Sequence, residues 1–404
     1  MKKFVAMLMA VLMVLSMAAC GGSSAPAETK APAAADAAPA ATEAPAAEGA
    51  APALKIGLTG PMTGPASAYG LAVRGGMEIA VAEINAKGGL QIEFKSEDDE
   101  ADGSDKAVSA YNSLKDWGMQ IMAGPVTTAP CNVVAAECAN DKIFMLTPSG
   151  SGASIIEYGD NIFQICFTDP NQGVASADYM ATHDLGSTIG VIYDSSDVYS
   201  SGIYEKFAAE AQVKGLNIAC VEAFTADNKS DLTTQVTKCK DAGCDLVFLP
   251  FYATEAAQVL TYADTIGYAP TFFGCDGMDG ILAVEGFDPA LAEGLMLLTP
   301  FSADASDEAT QSFVAKYKEK TGIVPNQFAA DAYDVICSLY QACVAGCVTP
   351  DMSASEINDI LVGQFTSMTY DGLTGKGMTW KATGEVSKSP MAVVIKDGTY
   401  VSAE

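Results

Sequence analysis

The 404-residue chain carries 50 acidic against 22 basic side chains and a single histidine, a formal charge of −28. A field of that sign repels polyanions and anionic headgroups, which excludes nucleic acid as a partner and leaves solubility as the reason for the charge. The length is large for one hydrophobic core and comfortable for two.

The first elements are not part of a fold. Lys2 and Lys3 precede an apolar run from Phe4 to Met17, and the sequence Met17-Ala18-Ala19-Cys20-Gly21 follows. A basic start, an apolar stretch too short to span a bilayer and small residues before the cut describe a secretory signal over residues 1–19. Cysteine after two alanines resembles the bacterial lipobox, which implies that Cys20 is lipid-modified and becomes the mature N-terminus. Residues 20–53 are almost entirely Ala, Pro, Glu, Ser, Thr and Gly, without an aromatic or large aliphatic side chain. Such a segment cannot bury enough surface to offset the entropy of ordering, and it reads as a lipid-anchored disordered linker.

Apolar strand-like runs then alternate with amphipathic stretches. Strands are expected at 54–60, 91–99, 120–124, 142–150, 188–194, 216–224, 244–251, 269–277 and 294–301. Between them Met77, Ala80, Val81 and Ile84, and then Ala107, Tyr111 and Leu114, repeat at helical spacing. Continuous apolar strands separated by helices predict parallel sheets covered on both faces, and the series runs through twice. The expected fold class is α/β with two doubly wound Rossmann-like lobes.

Eleven cysteines would ordinarily suggest disulfides in a secreted chain. Here they fall on apolar stripes: Cys131 and Cys138 with Val134 and Ala135, Cys239 with Leu232 and Val236, Cys343 and Cys347 with Ile336, Leu339 and Val344. Cys166 and Cys220 lie in strand-like runs. Buried thiols behave as small hydrophobes, so most of the ten beyond Cys20 are expected to be free. The pair in CKDAGC has no second Cys pair or His nearby, so no metal is expected there.

In open α/β sheets a ligand lies beyond the carboxyl ends of the strands. Those ends carry Thr127-Thr128-Ala129-Pro130, Ser149-Gly150-Ser151, Asp194 to Tyr199, Tyr252 and Gly274-Cys275-Asp276-Gly277. Thr128 or Ala129 is expected to cap a helix with Pro130 in its first turn, and Ser149 to Ser151 to precede a short helical segment. Hydroxyls and N–H groups at helix starts suit a carboxylate, whereas Asp276 suits an ammonium group. Tyr69, Tyr199, Tyr252 and Phe328 supply rigid apolar walls with polar tips on the tyrosines.

Little supports catalysis. His183 sits near a helix end where the helix dipole accounts for it, and nothing around it resembles a nucleophile motif. Neither GxGxxG nor GxxxxGK[ST] occurs, so no nucleotide cofactor is expected. Glu97, Asp98, Asp99 and Glu100 read as a solvated edge.

From Leu54 onward the chain resembles the leucine/isoleucine/valine-binding family, the type I receptors of ABC transporters. The resemblance rests on IGLTGPMTGPASAYG with RGGMEIAVAEINAKGG, then DDEADGSDKAVSAYNSL, MLTPSGS, VIYDSSDVYSSG and FAADAYDVI. It implies two lobes joined by three crossovers, with residues 54–168 plus 302–378 in one lobe and 173–298 plus 381–404 in the other. It also implies an amino acid ligand, ABC permease partners, a monomer, and no enzyme activity. Carried over, Thr128, Ser149 and Ser151 match carboxylate-holding positions and Asp276 the acid facing the α-ammonium, where the family usually has the longer Glu. Tyr69, Tyr199, Tyr252 and Phe328 match aromatic pocket positions. Similar receptors take amides or urea, or sense ligands without transporting them.

Overall fold

The computed structural model describes residues 52–403. The signal, Cys20 and nearly all of the expected linker lie outside the described residues, and the linker's last expected residue, Ala53, opens the first strand.

Strands β1 (Ala53–Gly60), β2 (Gln91–Asp98), β3 (Ile121–Met122), β4 (Phe144–Thr147) and β5 (Ile162–Gln164) form a first sheet in the order β2-β1-β3-β4-β5, parallel throughout. Helices α1 (Ser67–Lys87), α2 (Asp105–Trp117) and α3 (Thr128–Asp141) follow β1, β2 and β3. Alternation along β1 sends Leu54, Ile56 and Leu58 into a core shared with α1 and three later helices, α8 (Glu308–Thr321), α9 (Gln327–Ala345) and α10 (Ala354–Phe365). The opposite face of β1 is Gly57, where a Cβ would come within 2.3 Å of Met119 Sδ, so α2 and α3 close down on this side.

The second sheet holds β6 (Ile189–Asp194), β7 (Ile218–Phe224), β8 (Leu246–Leu249), β9 (Thr271–Gly274), β10 (Met296–Thr299), β11 (Met391–Lys396) and β12 (Thr399–Ser402). Its order is β12-β11-β10-β9-β8-β6-β7. Helices α4 (Asp169–His183) and α5 (Val198–Lys214) cover one face over Val191, Phe248 and Phe273. On the other, α6 (Thr233–Asp241) and α7 (Ala253–Thr265) cover Ile192, Val247 and Leu249. Chain passes between the two layers three times, at residues 165–168, 300–307 and 387–390. Lys388 in the third passage is buried and its ammonium donates to Asp331 of α9 and to Thr374, each at 2.6 Å.

Several expectations change. β5 lies outside the expected strands, and β11 pairs antiparallel with β10 and β12, so the second sheet is mixed and not purely parallel. The short β5 carries too few residues to show a period. The hairpin ladder runs antiparallel because Asp397 and Gly398, both at positive φ, reverse the chain in a tight turn. The cap of α3 is Thr127, one residue ahead of the expected pair. Cys166 follows β5 in the first passage and is not in a strand, and Cys347 lies beyond the end of α9, exposed. The acidic run is not a solvated edge throughout. Asp99 is fully buried, with burial pushing its carboxyl up to about 6, and Asp98 accepts the Met62 amide at 2.8 Å and the Thr63 hydroxyl at 2.5 Å. The Asp98 carboxylate ties the β1–α1 loop to the end of β2, and that of Asp99 accepts the Ala101 amide at 2.9 Å. His183 ends α4 as expected, its Nδ1 2.9 Å from the Tyr179 carbonyl oxygen and its ring stacked on Tyr179.

Candidate functional site

All eight residues picked out in the sequence line one cavity between the two layers, with Val126, Thr127 and Gly277. The space left free among them is small, about 10 Å³. From the first layer, α3 begins at Thr128 directly after β3, Ser149 and Ser151 follow β4, and Tyr69 and Phe328 project from the first turns of α1 and α9. From the second, Tyr199 lies in the first turn of α5 after β6, Tyr252 caps α7 after β8, and Asp276 opens a 3-10 turn after β9. Every polar member except Tyr69 of α1 therefore sits at the carboxyl end of a strand, where the parallel topology gathers loops and helix starts.

The two ends of the cavity carry different groups. At one end the Thr127 side chain, although it caps α3, makes no capping bond, and its hydroxyl is buried without a partner among the described residues. Ser149 donates its hydroxyl to the Val126 carbonyl at 2.6 Å, which fixes the loop, and Ser151 is almost fully buried. The start of α3 adds a partial positive charge. Hydroxyls and a helix start suit an anion here, although the buried Asp169 carboxyl also lies against Ser151.

At the other end Asp276 is buried, and its carboxylate accepts the Tyr199 hydroxyl at 2.6 Å. Burial pushes its carboxyl up to about 6, with the Tyr199 phenol pulling the other way. The same phenol oxygen accepts the Gly277 amide at 2.8 Å. Gly277 is required by that approach, since a Cβ there would stand 2.4 Å from the Tyr199 oxygen. No basic side chain lines the cavity. An acid so placed, with nothing cationic beside it, suits a cationic ligand group.

Between the ends lie the aromatic walls. Tyr199 and Tyr252 stack with centroids 4.9 Å apart, and Tyr69 meets Phe328 edge-on at 4.9 Å. Hydrogen bonds join the layers directly: Tyr69 donates to the Gly277 carbonyl at 2.6 Å and accepts the Ala253 amide at 2.9 Å. The Gln327 amide at the start of α9 donates to Asp279 at 2.8 Å, and the Gln327 side chain donates to the Asp276 carbonyl at 2.8 Å. Burial pushes Asp279 up to about 7.

Sequence reasoning missed Thr127, Gly277, Gln172 and Asp169. Gln172 of α4 accepts the Asp276 amide at 3.1 Å, and buried Asp169 donates its amide to the Ser151 carbonyl at 2.9 Å. Thr127 and Gly277 adjoin residues that were chosen. Nothing local marks Gln172 or Asp169, whose partners are distant in sequence.

Two α/β layers with polar groups turned into the space between them describe a solute-binding protein. The profile of the family described as periplasmic binding protein matches residues 53–399, and the chain belongs to that family. It is 28% identical over 284 residues to the Leu/Ile/Val-binding protein homolog 3 of Brucella melitensis, covering 68% of this chain and 76% of that one. To the leucine-, isoleucine-, valine-, threonine- and alanine-binding protein of Pseudomonas aeruginosa it is 29% identical, covering 70% and 75%. Among solved structures it is similar to the branched-chain amino acid transporter substrate-binding protein LivJ from Streptococcus pneumoniae in complex with isoleucine. The TM-score is 0.79 at 25% identity, over 87% of this chain and 99% of that one. Among the described residues, no helix is long and apolar enough to cross a membrane, and no group of side chains is suited to hold a metal ion.

Proposed function

We propose that the chain is the substrate-binding component of an ABC importer, tethered outside the cell membrane through a lipid on Cys20, and that it binds a zwitterionic amino acid with a small aliphatic side chain, branched-chain above all. The observation that carries this reading is the pairing, in one cavity, of an anion-favouring end at Thr127, Thr128, Ser149 and Ser151 with buried Asp276 at the other. A zwitterion spans both ends, its carboxylate against hydroxyls and the start of α3 and its ammonium against Asp276. The side chain then lies against Tyr69, Tyr199, Tyr252 and Phe328. In this reading residues 54–168 plus 302–378 form one lobe and 173–298 plus 381–404 the other.

Binding works through differential contacts. Neither lobe alone satisfies both ligand charges, so the ligand stabilises the closed arrangement, which is the form a permease recognises. The names of the relatives, which bind leucine, isoleucine and valine, support the ligand class.

The test is a thermal-shift screen of purified residues 52–404 against the amino acids and small amides, followed by calorimetry. Tight binding of leucine, isoleucine, valine or alanine with a large upward shift is expected. Binding of an uncharged amide or urea with no amino acid binding overturns the zwitterion reading. Detergent-phase partitioning of the full chain against Cys20→Ser tests the anchor: the variant should leave the membrane fraction.

A further inference from the structure

Three thiols that the binding site does not use converge in the second layer. Cys220 on β7 and Cys239 on α6 place their sulfurs 3.8 Å apart. Cys244 joins them from the turn after α6, where its amide bonds back to the Cys239 carbonyl at 3.1 Å. All three meet over Gly190, the register partner of Cys220 on β6. A Cβ at Gly190 would lie 2.9 Å from the Cys239 sulfur and 3.2 Å from that of Cys244. The absence of a side chain there is what makes room for the sulfurs.

The three differ in access. Cys239 and Cys244 are buried, whereas Cys220 is partly exposed. β7 is the edge strand of its sheet, paired on one side only, and its residues alternate between α6 and solvent. Solvent therefore reaches Cys220 at an edge, and the edge strand is the part of the sheet freest to shift the remaining distance to a bond of about 2.05 Å. Two charged neighbours act on Cys220 in opposite senses: Glu222 of β7 opposes the thiolate, and Lys238 of α6, ion-paired to Glu222 at 2.8 Å, favours it more weakly.

We propose that this cluster is an oxidation site: a hydroperoxide oxidises Cys220, and Cys239 closes the disulfide that fastens β7 to α6. In the first step the Cys220 thiolate attacks one peroxide oxygen and the O–O bond breaks. Cys220 becomes a sulfenic acid, and the leaving oxygen takes up a proton as water or alcohol. In the second, the Cys239 sulfur attacks the Cys220 sulfur, the S–O bond breaks, and the oxygen leaves with the Cys239 proton as water. Two thiols and one peroxide yield one disulfide, with one water released in each step when the oxidant is hydrogen peroxide. Burial raises Cys220 and Cys239 above the ordinary thiol range, and Cys244 up to about 11. The site is consequently slow at neutral pH and speeds up as the thiolate grows.

The experiment uses the Cys347→Ser protein, which lacks the exposed thiol beyond the end of α9, treated with hydrogen peroxide and then alkylated in denaturant for peptide mapping. A Cys220–Cys239 linkage, reversed by reductant and forming about tenfold faster per pH unit between about pH 7 and 8, is expected. In the Cys239→Ser/Cys244→Ser form of the same protein, Cys220 should instead be trapped by dimedone as the sulfenic acid. Two results overturn the proposal: no disulfide at Cys220 in the Cys347→Ser protein, or a Cys220–Cys244 bond in its place. The first readout needs no cluster variant, so it stands even if the serine substitutions impair folding.

Discussion

Tyr69 and Gly277, on opposite sides of the cavity, are joined by a hydrogen bond of 2.6 Å from the phenol to the backbone carbonyl. The same phenol oxygen accepts the Ala253 amide, so one side chain of α1 satisfies backbone groups at two loops of the other layer. This makes Tyr69 part of the closure and not only of the wall. Tyr69→Phe keeps the ring and its contact with Phe328 but removes both bonds. An affinity loss of about 1–2 kcal/mol for the best amino acid of the screen is expected, by calorimetry. Small-angle scattering should also show a more open ligand-free protein. Unchanged affinity and shape would remove Tyr69 from the closing mechanism.

In the proposed binding mode Asp276 is the acid that meets the ligand ammonium. Asp276→Ala should weaken amino acid binding by about 2–4 kcal/mol, since it leaves a desolvated ammonium without its partner. Asp276→Asn keeps an oxygen acceptor and should lose less. Thr128→Ala should lose about 1 kcal/mol, because backbone donors persist at the start of α3. Calorimetry on variants with an unchanged circular-dichroism spectrum checks all three.

Affinity should also depend on pH. In the proposed binding mode an ammonium group is held by ionised Asp276, whose carboxyl burial has raised to about 6. Above about pH 7 the group is ionised and affinity should be level; below about pH 6 protonation competes with the ligand, and affinity should approach a tenfold fall per pH unit. Calorimetry between pH 5 and 8 in buffers of different ionisation heat should reveal proton release on binding at the acid end. A flat profile would mean that Asp276 does not face a cation.

Stability of the ligand-free protein should run the opposite way. Asp99, Asp197 and Asp276 are raised to about 6 and Asp279 to about 7, in each case mainly by burial. Groups raised in the folded state bind more protons there than in the unfolded chain. Their stabilisation is complete below the unfolded value, about 3.9, and is lost as pH rises through 6 to 7. The thermal midpoint should be higher at pH 5 than at pH 8. Below about pH 4 the carboxylates lowered by surface contacts, such as Asp98 and Asp245, should reverse the trend.

Lys388 and Asp331 are a buried ion pair, 1% and 2% exposed at the side chain. Lys388→Met leaves Asp331 without its cation and with Asp334 nearby, and should cost about 3–5 kcal/mol in urea unfolding. Adding Asp331→Leu should recover most of that loss, because the uncompensated charge goes with it. A single variant as stable as the parent would show that the pair carries no such weight.

The sequence made the alternation of strands and helices legible because buried parallel strands are continuous apolar runs, as at β6 and β8. It did not reveal β5, three residues long, or the antiparallel hairpin of β11 and β12, whose partner β10 is remote in sequence. The site was legible where its members lie at strand ends, as Thr128, Ser149 and Asp276 do. It was illegible where a role arises only between the layers. Gln327 and Asp279 carry no local mark of their contact, and neither does Gln172 beneath Asp276.

The register of β10 with β11 joins Thr299 to Met391, with all of α8, α9 and α10 between them in the chain. The second sheet is thus completed by a segment that arrives only after three helices of the first layer. Closing so long a loop is entropically cheap per added residue, but it must precede any reward from the hairpin. The outer strands β11 and β12 are thus contributed by a segment that follows every helix of the first layer, and neither layer's chain is complete without a return through the other.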